Sequence, residues 1–119
     1  VDEDLMLERV AFDEEIHAPD GSGGQVRDWV QRYGCRAKFI YSRGSEVVAA
    51  ARLEGRAIYK VRIRQCAASR AIQPSWRMRD LRRGDLTKPL PGEEYNVREV
   101  DAITDRKWVY LVVESGVAT

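Results

Sequence analysis

The chain has 119 residues, 44% apolar and 33% charged, with a net charge of +1. That mix suits a soluble globular domain and excludes a disordered polyelectrolyte. Lysine and arginine are interleaved with acids instead of forming a block, so nothing demands nucleic acid as a partner.

One domain spanning residues 1–119 is expected, large enough to bury a core without staples. No run approaches the roughly 20 apolar residues of a membrane span, so no membrane is expected. The acidic opening Val1-Asp2-Glu3-Asp4 is unlike a signal peptide. Cys35 and Cys66 lie far apart and are expected as buried thiols, not as a disulfide. With His17 alone and no Cys-x-x-Cys, neither a metal site nor any other cofactor is expected.

In chain order, residues 3–16 open ambiguously, but Val10 and Phe12 alternate as in a first strand. Residues 17–25 (His-Ala-Pro-Asp-Gly-Ser-Gly-Gly-Gln) read as a loop, and lack the glycine spacing and following helix of a phosphate cradle. Residues 36–42 form a second strand, with Ala37, Phe39 and Tyr41 on one face. Residues 43–54 are Ala-rich and bounded by Gly44 and Gly55; Ser45 is a candidate cap for a helical turn that is too short to stand alone.

Residues 56–65 are the clearest strand. Tyr59, Val61 and Ile63 point one way, and Lys60, Arg62 and Arg64 the other. A slip of one residue would bury three cations, which fixes the register. Residues 66–74 read as a connection, and 75–81 as a fourth strand with Trp76 and Met78 against Arg77 and Arg79. A turn-rich loop over 82–94, a fifth strand over 95–100, a hairpin connection over 101–107 and a sixth strand over 108–114 complete the pattern. The expected fold is all-β: a small six-stranded antiparallel β-barrel with one long loop after the second strand. A barrel is preferred to a sandwich because closure removes exposed edges.

Several residues invite a functional reading. Lys60, Arg62 and Arg64 are candidates for DNA-phosphate or subunit contacts; the competing reading is a solvated strand face. Trp29, Trp76 and Trp108 are candidates for core or interface anchors, with at least one expected in each place. Arg83-Gly84-Asp85 reads as a turn. Asp13-Glu14-Glu15 reads as a solvated acidic face, and no nucleophile stands beside His17, so no enzyme activity is expected.

The ordered series Arg43-Gly44-Ser45-Glu46, Ala50, Arg52-Leu53-Glu54-Gly55-Arg56 and Val61-Arg62-Ile63-Arg64 resembles the head–tail joining proteins of tailed bacteriophages. These are the head-closure or stopper proteins, including the neck proteins of gene transfer agents. Leu7-Glu8-Arg9-Val10, the Gly-rich loop before Trp29, Ala37, Tyr95-Asn96-Val97-Arg98-Glu99-Val100 and Leu111-Val112-Val113-Glu114 fit in the same order; residues 82–94 are longer than the usual hairpin there. The resemblance implies a virion structural protein of the neck, assembled in the bacterial host cytoplasm. It would form a homo-oligomeric ring below the portal and adaptor, close the DNA channel, and dock the tail terminator or other tail proteins. It also implies a channel gate loop formed by Arg43, Gly44, Ser45, Glu46, Val47, Val48, Ala49, Ala50, Ala51 and Arg52, with non-specific contact to packaged DNA. The alternative is a free cytosolic β-barrel that binds nucleic acid or a peptide.

Overall fold

The computed structural model describes residues 8–40 and 57–115. Its elements are β1 (Glu8–Pro19), β2 (Gln25–Ile40), β3 (Ala57–Arg64), a one-turn helix α1 (Ala67–Arg70), β4 (Arg77–Asp80), β5 (Glu93–Asp101) and β6 (Trp108–Ser115). The six strands form one antiparallel sheet that closes in the order β1-β2-β3-β6-β5-β4. The expected all-β barrel is therefore present. The expected long loop after the second strand lies outside the described residues.

Alternation explains the closure. Val10, Phe12, Ala37, Val61, Ile63, Met78, Val97, Val109, Leu111 and Val113 come from strands all around the ring and bury their side chains in one cluster. Ile72 and Trp76, from the β3–β4 connection, join that cluster. Phe39, Tyr59 and Tyr95 pack against one another with ring centroids 5.6, 6.2 and 6.0 Å apart. Such tilted and edge-on contacts suit the quadrupoles of aromatic rings. The inward side of β3 is as its sequence predicts: Val61 and Ile63 are fully buried and Tyr59 packs on the core.

The first two strands depart from expectation. The segment read as a loop over residues 17–25 is mostly strand: only 20–24 turn, and pairing continues through His17↔Arg27, Ala18↔Val26 and Pro19↔Gln25. The turn is closed by Asp20, whose Oδ1 accepts from the backbone N–H groups of Ser22 (2.7 Å) and Gly24 (3.1 Å). Gly21 and Gly23 take φ of +84° and +88°, a region costly for a residue with a Cβ.

The result is a two-stranded arm. Among the described residues, β1 pairs with β4 over Val10–Asp13, and β2 pairs with β3 over Lys38–Ile40. Beyond those points, the six pairs from Glu14↔Val30 to Pro19↔Gln25 project as a ribbon. At roughly 3.4 Å per residue this reaches about 20 Å past the barrel wall. It accounts for the elongated shape, 53 × 36 × 29 Å. A bulge sits at its root, where Phe12 faces Tyr33 but Asp13 faces Gln31, so Arg32 is the extra residue. Bulges sharpen the local twist, which turns the ribbon out of the wall.

The connection over 66–74 also holds more structure than expected. Cys66 caps α1: its sulfur accepts from Ser69 N–H at 3.5 Å, and Ser69 Oγ accepts from Cys66 N–H at 2.8 Å.

Candidate functional site

The outer face of β3 and β6 carries the predicted cations. Register places Arg62 opposite Tyr110 and Arg64 opposite Trp108, so their side chains share the outward face. The Arg62 guanidinium carbon lies 4.1 Å from the Trp108 ring centroid and that of Arg64 lies 5.3 Å away; Lys60 Nζ is 4.9 Å from the Tyr110 centroid. Each cation therefore rests on an aromatic face, a contact that holds a long side chain in place; Lys60 and Arg64 are exposed and Arg62 is half-buried. The structure brings Lys60, Arg62 and Arg64 together in one row; the predicted gate residues 43–52 lie outside the described residues.

Beside this row is a shallow depression of about 270 Å³ lined by Lys60, Glu99, Asp101, Thr104, Tyr110 and Val112. Its acidic side is fixed by the β5–β6 turn. Asp101 Oδ1 accepts from the backbone N–H groups of Ile103 and Thr104, both at 3.0 Å. Those donors, with Lys60 nearby, hold the Asp101 carboxyl below its usual range. Gln65 ties the end of β3 to the same turn, donating from Nε2 to the carbonyls of Ala102 (3.0 Å) and Asp105 (2.7 Å).

A second polar group was missed in the sequence. Arg77 and Arg79, expected on the face of β4 opposite Trp76 and Met78, are buried, and so is Asp13, expected on a solvated acidic face. The Asp13 carboxylate accepts from Arg77 Nε at 2.8 Å and from Arg79 Nε and Nη2 at 2.8 and 3.0 Å. Arg79 also donates to Gln31 Oε1 and to the Pro91 carbonyl, both at 2.6 Å. Arg77 sits 4.5 Å from the Trp29 ring centroid and 3.4 Å from Glu94. Two elements cover this outward face: Gln31 and Trp29 at the root of the arm, and the 82–92 connection through Pro91. The cluster thus fastens the arm and that connection to the barrel wall. Gly92 is needed there, since a Cβ on it would lie 2.6 Å from the Asp80 carbonyl oxygen and its φ is +117°.

The cysteines are free, as expected, but they are not both buried: Cys35 is half-buried and Cys66 exposed. Tyr33 Oη lies 3.4 Å from Cys66 Sγ. That contact and the backbone N–H of Ser69 pull the Cys66 thiol down to about 7, whereas burial pushes Cys35 up to about 12. Of the tryptophans, Trp76 is core, while Trp29 and Trp108 are half-exposed under arginines. Among the described residues no group of His, Cys, Asp or Glu is placed to hold a metal ion.

A family model described as phage head completion protein matches residues 5–116. None of the curated proteins compared matches the chain. Among solved structures, the fold is similar to that of protein SF1141 from Shigella flexneri 2a, determined in solution. Identity is 16%, TM-score 0.66, and 96% of each chain is covered. It is also similar to a chain in the virion of a native gene transfer agent particle, at 19% identity and TM-score 0.55, covering 93% of this chain and 94% of that one.

Proposed function

The chain belongs to the phage head completion protein family, and from that premise we propose that it forms a ring at the neck of the particle, below the portal and adaptor. There it closes the DNA channel and presents a docking surface to the tail. The family's role is structural, at the joint of phage head and tail, and it is not a class of enzymes. The observation that carries the reading is the family match over residues 5–116, nearly the whole barrel and its arm. The fold it shares with a chain of a gene transfer agent virion supports the same reading.

In this proposal the 43–52 segment is the channel-closing element, on the strength of the family resemblance and of the small residues Ala49, Ala50 and Ala51, which permit close approach between copies. Any DNA contact by Lys60, Arg62 and Arg64 goes to phosphates and carries no base specificity. A free barrel that reads nucleic acid by base stacking finds less support. The Trp108 ring that would stack a base already stacks Arg62 at 4.1 Å.

Removal of the chain from a producing strain tests the reading. Heads should accumulate without joined tails, and the intact chain supplied separately should restore joining. Normally tailed particles without the chain would refute it.

A further inference from the structure

The arm has two unlike faces. One continues the outer surface and is self-satisfied: Glu15 pairs with His17 at 2.9 Å and Arg27 at 2.7 Å. The other continues the barrel's inner face past its mouth. By register it carries Ile16, Ala18, Val26 and Val30, with Glu14 and Asp28 among them. Among the described residues, none of Ile16, Ala18, Val26 and Val30 joins the core cluster, and Val26 is 49% exposed. Glu14 is matched by Arg32 at 2.9 Å, whereas the exposed Asp28 accepts from its neighbour's backbone, Trp29 N–H at 2.9 Å, and pairs with no cation among the described residues. The face is apolar with one outward acid at its centre.

The barrel carries a complementary face. In the ring of strands β6 stands three places from β1 and β3 lies next to β2, so this face lies round the outer wall from the arm's root. Its half-buried Trp108 and Tyr110 lie under Arg62, Arg64 and Lys60, of which Lys60 and Arg64 are exposed. The apolar and acidic ribbon face continues the barrel's inner side and the aromatic and cationic row lies on its outer side, so the two do not face each other within one chain. Between copies they can meet head to tail, and a heterologous contact of that kind gives a ring where its rotation closes.

We propose that the inner face of the β1–β2 arm of one subunit seats on the Lys60–Arg64–Trp108–Tyr110 face of the next copy. This rests on the ring reading above and names its interface. A ribbon face about 20 Å long and two strands wide is small beside the roughly 800 Å² per partner of a stable pair. The contact therefore holds when each subunit makes it twice within a closed ring assembled on the neck, and the isolated chain is monomeric.

The test is charge exchange in assembled particles. Asp28→Lys and Arg64→Glu alter exposed residues, and thermal melting of each purified variant checks that the barrel is intact. Each single variant should reduce the chain's content in purified particles at least tenfold, and the two together should restore it. Val26→Arg, which places a charge in the apolar row without touching the barrel, should also reduce it. Wild-type content in the single variants and in Val26→Arg, or no recovery in the double variant, would overturn this interface while leaving the neck assignment standing. Absence of the wild-type chain from particles would overturn the neck assignment itself, and the interface with it.

Discussion

Removal of the Asp13 carboxylate is the sharpest perturbation of the barrel. In Asp13→Ala, Arg79 stays fully buried and Arg77 nearly so, but three charge-assisted hydrogen bonds of 2.8, 2.8 and 3.0 Å vanish. Breaking a buried ion pair by deleting one partner costs about 3–5 kcal/mol, because the other charge is left uncompensated. Here Arg79 keeps Gln31 Oε1 and the Pro91 carbonyl, and Arg77 keeps Glu94, so the loss should fall near the lower end, about 3 kcal/mol. With a urea m-value of about 1.5 kcal/mol per molar, the unfolding midpoint should drop by about 2 M. Urea unfolding followed by circular dichroism measures this. Arg32→Ala is the control, since it breaks a 2.9 Å pair whose side chains are 47% and 39% exposed. Its cost should stay below about 1 kcal/mol. An Asp13→Ala loss no larger than the control's would refute the claim that this cluster locks the arm and the 82–92 connection to the wall.

Two further outcomes follow from local geometry. Gly92→Ala must adopt a φ of +117° and place its Cβ 2.6 Å from the Asp80 carbonyl oxygen. A loss of about 2–3 kcal/mol is expected, read as a fall of roughly 10 °C in melting temperature; an unchanged melt would contradict it. Cys66 should alkylate with a midpoint near pH 7 and Cys35 should stay unreactive there, because the two thiols stand at about 7 and about 12. Tyr33→Phe should move the Cys66 midpoint upward, since the Tyr33 hydroxyl is the largest influence holding it down. The sign for stability is that of a depressed acid. The thiolate's contribution is present above the ordinary thiol range and lost as pH falls through about 7.

The barrel was legible because its strands are half-buried. β3 alternates cleanly, and its buried Val61 and Ile63 sit where period-two reading puts them. The arm was not legible, because its strands have no core behind them. Pro19, Gly21, Gly23 and Gly24 spread a turn signal over residues that continue to pair almost to the tip. The buried Asp13, Arg77 and Arg79 were missed for a different reason. Alternation tells which residues share a face but not what covers that face, and here the cover is Trp29, Gln31 and the 82–92 connection. The cationic row was visible from the alternation of Lys60, Arg62 and Arg64. Its aromatic bed was not, since the pairing of β3 with β6 brings Trp108 and Tyr110 from more than 40 residues away.

The proposed place of this chain is the neck, where it completes the head. Imaging of purified particles at a resolution that traces strands tests it most directly. A ring of six-stranded barrels, each with its two-stranded arm, is expected between the adaptor below the portal and the first tail protein. Neck density with no such barrel, or this chain found in the shell or at the far end of the tail, would contradict it.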